Sequence, residues 1–163
     1  MAGPYPGAKQ KQEAERKLRD YLDAGISCFL DLTEEGESGL RPYGALLRTL
    51  ATKRGLEVVH LRLPVSDLEV PTEWRMRLVQ SALREAVGAG ETVYVHCWGG
   101  VGRTGTVVGC RRVETDGISG QHVLARIEEL RRGTQRAHRG SPETPAQRDM
   151  ILGWHKAAFG PRS

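Results

Sequence analysis

The chain has 163 residues, 39% of them hydrophobic and 27% charged, with a formal net charge of +4, which excludes a disordered or fibrous chain and fits one folded domain over 1–163. No apolar run approaches the roughly 20 residues of a membrane span and no charged-then-apolar leader opens the chain, so the expectation is a cytoplasmic monomer that does not engage a membrane. Three cysteines without paired spacing point to a reducing compartment rather than a disulfide scaffold.

Residues 1–8 read as irregular, because Gly3-Pro4-Tyr5-Pro6-Gly7 cannot be helical. A charged helical stretch follows from Lys9 to Asp23. Ile26 to Leu30 reads as a buried strand ending at Asp31, and the polar stretch Thr33 to Gly39 as a loop. Tyr43 to Thr52, with Leu46, Leu47 and Leu50, predicts a short helix. Leu56 to Leu63 is a second strand, ended by Pro64. From Pro71 to Val87 the residues Met76, Val79, Leu83 and Ala86 recur at helical spacing. Thr92 to Val95 is nearly apolar throughout, as a central strand covered on both faces should be.

A glycine-rich turn leads into a helix from Arg103 to Glu114. Ser119 to Arg131 is helical, with Val123, Leu124, Ile127 and Leu130 as its buried stripe. The last helix, Pro145 to Ala158, takes Thr144 as N-cap and buries Met150, Ile151 and Trp154. Strands alternating with helices define an α/β fold, a central and mostly parallel sheet flanked by helices.

Most of the net charge comes from arginines, clustered at Arg111-Arg112, Arg131-Arg132 and Arg136 to Arg139. They read as solvated helix faces, or as a field that draws anionic substrates. No aromatic residues interleave with them as a stacking platform requires, so no nucleic acid is expected as a partner.

The most informative segment is His96-Cys97-Trp98-Gly99-Gly100-Val101-Gly102-Arg103-Thr104-Gly105, between the most strand-like run and a helix. That edge of an open α/β sheet is where ligands bind. If Cys97 to Arg103 curl around one point, the backbone N–H groups of Trp98, Gly99, Gly100, Val101 and Gly102 converge on a tetrahedral anion, reinforced by the following helix N-terminus. Glycines make such a curl sterically cheap. The same field lowers a thiol pKa from about 8.5 toward roughly 3.5–7.5, which makes a cysteine there a nucleophile at neutral pH. Arg103 supplies a planar fork for two phosphate oxygens.

Cys-x5-Arg-Thr preceded by His resembles the signature loop of the protein tyrosine and dual-specificity phosphatase superfamily, and the chain's compactness resembles its dual-specificity members. The resemblance implies that fold and a phosphomonoester phosphatase working through a phosphocysteine intermediate, with no cofactor and no metal. Cys97 is then the nucleophile, Arg103 the phosphate clamp, Thr104 a hydroxyl donor to the sulfur, and His96 a residue that orients the loop and helps hold the thiolate. The five residues between Cys97 and Arg103 are uncharged, whereas inositide-directed relatives often place lysines there.

The implied general acid and base is an aspartate on a loop after an earlier strand, here Asp67 in Leu63-Pro64-Val65-Ser66-Asp67-Leu68-Glu69-Val70-Pro71. Asp67 also reads as a turn or cap residue, and Asp31 and Glu69 are its rivals. Gln147 resembles a water-positioning glutamine, but Thr144-x-x-Gln147 is equally a capping box. Trp98 is expected to pack beneath the loop or to line the mouth of the pocket. An edge strand found in related phosphatases before the Gly3–Gly7 segment is expected to be absent. Cys28 and Cys110 read as buried residues or as redox partners of Cys97. The substrate class is a phosphorylated protein or a small phosphate ester. Alternatives are an inactive phosphate-binding module and a sulfur-transfer enzyme.

Overall fold

The structure, a computed structural model, describes residues 1–134 and 136–158, with backbone alone for 155–158; the end of the expected domain, 159–163, lies outside the described residues. Among the described residues four parallel strands form one sheet: β1 (Ala2–Gly3), β2 (Cys28–Asp31), β3 (Val59–Arg62) and β4 (Val93–His96), in the order β1-β4-β2-β3, with β2 and β4 at the centre. Six α-helices of the described residues flank them: α1 (Lys11–Asp23), α2 (Gly44–Thr52), α3 (Glu73–Gly88), α4 (Gly102–Asp116), α5 (Gly120–Arg131) and α6 (Pro145–Ala158). No helix of the described residues is long and apolar enough to cross a membrane.

The period-two geometry of a strand sends alternate side chains to opposite faces, and two cores follow from it. Cys28, Leu30, Val93 and Val95 meet Met76 and Val79 of α3, Val107 and Val113 of α4, and Ile151 and Trp154 of α6. Phe29 and Tyr94 turn the other way, against Leu18 and Leu22 of α1 and Leu47 and Leu50 of α2. Both central strands are buried at every position, which is why they read as near-continuous apolar runs. Thr72 caps α3 through the amide of Arg75, and Ser119 caps α5 through that of His122.

Three expectations are corrected. The irregular start contains the edge strand thought to be missing: Ala2 and Gly3 pair with Val95 and His96, because two residues before Pro4 suffice for a short ladder. Strand β3 is shorter than Leu56–Leu63: it runs Val59–Arg62 at the opposite edge, and Leu56 ahead of it is exposed. Leu130, at core spacing in the sequence, is 63% exposed.

Candidate active site

Strands β2, β3 and β4 all end on one edge of the sheet, and the loops leaving them converge there. The segment after β4 turns sharply into α4, whose first turn leaves amides without intrahelical partners; the first backbone bond across the turn runs from Gly105 N to Val101 O. Within the turn the Gly100 amide donates to Cys97 Sγ at 3.3 Å. Gly100 has φ 68°, and a Cβ there would overlap the Gly3 carbonyl. Glycine is therefore required twice, by conformation and by the approach of β1. At Gly102 a Cβ would sit 2.8 Å from Gln147 Oε1 and would push that side chain aside.

Cys97 lines a small niche of about 50 Å³ together with Arg103, Asp67, Leu68 and the loop backbone of Gly99, Val101 and Gly102. That is several times the space one water needs. Arg103 is buried, and its fork is heavily used. Nη1 donates to Val65 O at 2.9 Å and Leu32 O at 3.4 Å, and Nη1 and Nη2 together grip the two oxygens of Glu37 at 2.6 Å each. Asp67 Oδ1 stands 3.0 Å from Nη2. Only Nε–H is buried without a partner.

Glu37 was not legible as a site residue within Thr33–Gly39. The available signal was Arg103 itself, because a buried guanidinium needs a carboxylate. Burial opposes ionisation of Glu37, but the Arg103 hydrogen bonds outweigh it and hold the carboxyl below its ordinary range. Glu34 ties this loop to the next by accepting from Ser66 Oγ at 3.2 Å.

Asp67 lies on a turn closed by Glu69 N to Ser66 O at 3.1 Å, with its side chain 56% exposed at the mouth of the niche. Leu68 occupies the left-handed region at φ 61°, a strained setting for a side chain with a Cβ. Asp31 is instead fully buried. Burial works against its charge, but bonds from His60 and Thr33 and the nearby His96 prevail and bring its pKa down to about 2. It remains ionised and pinned at neutral pH, unlike a proton donor.

His96 Nδ1 lies 3.3 Å from Cys97 O, which can only accept, so Nδ1 carries the proton and Nε2 accepts from Tyr43 O–H at 2.7 Å. Burial lowers its pKa to about 4. The ring is neutral and holds the Cys97 carbonyl, so it lends no positive charge to the loop. Thr104, in the first turn of α4, is buried; its Oγ1 makes no hydrogen bond among the described residues, and the residue borders a cavity behind the loop.

Of its two expected placements Trp98 takes the second: it lines the niche rather than packing beneath the loop. It is 43% exposed, and the guanidinium of Arg136 covers its ring at 5.2 Å. Arg136 donates to Gly99 O at 3.2 Å, and Arg131 to Gly100 O at 3.1 Å. These arginines, read from sequence as solvated faces or a steering field, are bound to the back of the signature loop. Arg139, paired with Glu143, lines the niche. Gln147 makes the cap contacts: its backbone N–H donates to Thr144 Oγ1 at 3.3 Å, its Oε1 accepts from the amides of Glu143 and Thr144, and its Nε2 donates to Glu69 O at 3.1 Å, on the Asp67 turn. Cys28 and Cys110 are buried; burial pushes the Cys28 thiol up to about 11 and that of Cys110 higher still.

Solved phosphatase structures share this arrangement of strands and helices. The kinase associated phosphatase, in a form with its catalytic-site cysteine replaced by serine, matches 98% of this chain and 88% of its own at 20% identity and a TM-score of 0.77. The active form of Tk-PTP matches 87% and 86% at 29% identity and a TM-score of 0.63. PTPMT1 in complex with PI(5)P matches 92% and 87% at 22% identity and a TM-score of 0.68. The fold is that of the dual-specificity phosphatases. Residues 5–116 match the family described as "Polymorphic toxin system, DSP-PTPase phosphatase", and the chain belongs to that family. It is also 31% identical over 121 residues to the protein named "Putative tyrosine phosphatase 067L" of Invertebrate iridescent virus 3, covering 72% of this chain and 43% of that protein's length.

Proposed function

We propose that the chain is a cysteine-dependent phosphomonoester phosphatase, acting on a phosphorylated protein or a small phosphate ester as a cytoplasmic monomer. The observation that carries this reading is the single niche shared by Cys97 Sγ, the Arg103 guanidinium and Asp67 at its mouth. The Cys97 thiolate attacks phosphorus in line and the phosphorus–oxygen ester bond breaks. The departing oxygen takes the proton of Asp67, and the thiolate's electron pair becomes the sulfur–phosphorus bond. In the second step Asp67, now ionised, removes a proton from water. The water oxygen attacks phosphorus and the sulfur leaves as thiolate, restoring both groups.

The incoming phosphate competes with Asp67 for Arg103 Nη2 and takes the unpartnered Nε–H, while Glu37 keeps the other side of the fork. Fixed donors aimed at the equatorial oxygens supply the dominant stabilisation in phosphoryl transfer. Cys97→Ser is expected to abolish hydrolysis of p-nitrophenyl phosphate while still binding tungstate in calorimetry. Hydrolysis by Cys97→Ser at the parental rate overturns the mechanism. A parental protein that binds tungstate without turnover is an inactive phosphate-binding module instead.

A further inference from the structure

Behind the signature loop, on the side away from Cys97, a second cavity of about 640 Å³ opens between β1, α4 and α5. Its volume is in the range that encloses most of a small organic ligand. Pro4, Val108, Ile127 and Leu130 give it an apolar body. Leu130 explains itself here: it sits at core spacing, yet it is largely exposed because it borders this space rather than the packed interior.

One polar observation says what an occupant carries. Arg131 and Arg136 line the cavity. Their printed bonds go to backbone carbonyls, and among the described residues neither forms an ion pair with a carboxylate. Arg131 is lowered by burial first and then by the charges of Arg139 and Arg136, so the cluster holds positive charge in excess. Apolar walls and surplus guanidinium charge fit one chemistry.

We propose that this cavity binds a small amphipathic anion, an apolar chain or ring ending in a carboxylate. Its floor is the reverse of the loop, at Gly99, Gly100, Thr104 and Gly105, so an occupant touches the backbone that holds Cys97 without entering the niche. The site stands independently of whether the niche turns substrate over.

The test is a titration of the full chain with decanoate, followed by backbone and methyl NMR. Shifts at Ile127, Leu130, Val108 and the Gly99–Gly105 amides are expected at one site per chain, and inorganic phosphate should leave the affinity unchanged. 1-Decanol, lacking the head group, should bind at least about tenfold more weakly, the scale of a charge-assisted hydrogen bond. Leu130→Glu should remove binding, and Leu130→Trp should weaken it by filling the mouth. Both should keep parental p-nitrophenyl phosphate turnover, since Leu130 lies outside the niche. Displacement of decanoate by phosphate, equal affinity for decanol, or undiminished binding by both variants overturns the assignment. So does light scattering that finds a dimer dissociated by Leu130→Glu, which makes the face a contact between copies.

Discussion

Arg103 carries the heaviest electrostatic load of any side chain at the site, facing Glu37 and Asp67 at once. The two carboxylates differ in kind. Glu37 is bidentate and enclosed, whereas Asp67 is largely exposed and makes one contact. Glu37 therefore fixes the plane of the guanidinium, and Asp67 is free to exchange its contact for a substrate oxygen. Glu37→Gln is expected to lower kcat/KM for p-nitrophenyl phosphate by about 10- to 100-fold, the kinetic equivalent of a charged hydrogen bond worth roughly 1.5–3 kcal/mol. Phosphate inhibition should weaken in parallel, which a purely structural role would leave untouched. Asp67→Asn should slow turnover by about 10²–10⁴, the usual scale of general acid–base help. The loss should be largest with phenyl phosphate, whose poor leaving group depends most on a proton.

At the scale of elements, the site is a meeting of loops held by backbone contacts. The Tyr5 amide donates to Trp98 O at 3.0 Å, and β1 lies against Gly100. From the other side, Arg131 and Arg136 hold the carbonyls of Gly100 and Gly99. The acid turn is tied down by Gln147 through Glu69 O and by Arg75 through Pro64 O. Gly100→Ala tests this arrangement directly. Its positive φ and its overlap with the Gly3 backbone should lower stability by more than about 1 kcal/mol in urea unfolding, and phosphatase activity should fall with the loop's distortion.

For the whole molecule, acid is the condition most sharply tuned by the buried network beneath the loop. His96 titrates near 4 in the folded protein against 6.5 in the open chain, so the unfolded state binds more protons between those values. Its contribution is complete above about pH 6.5 and is lost as pH falls toward 4. Asp31 adds a second loss between its ordinary 3.8 and about 2. The urea midpoint should therefore decline from pH 7 downward, as unfolding free energy falls by up to about 1.4 kcal/mol per pH unit for one group. A midpoint flat between pH 6.5 and 4.5 contradicts a neutral, enclosed His96.

The sequence alone determined the layer order, because strand alternation and helical periodicity are local and the same pattern that buries Leu30 and Val95 on one face buries Phe29 and Tyr94 on the other. It also determined the family's motif, since Cys97, Arg103 and the glycines between them lie within one turn of chain. Only the tertiary structure decided that Glu37 grips Arg103 across 66 positions, and that Arg131 and Arg136 reach back to the loop's carbonyls. Those pairings come from loops and helix ends brought together by packing, and a long side chain's partner carries no period that the sequence could display. The edge strand at Ala2–Gly3 belongs with them, because two residues hold no alternation and take their register entirely from Val95 and His96.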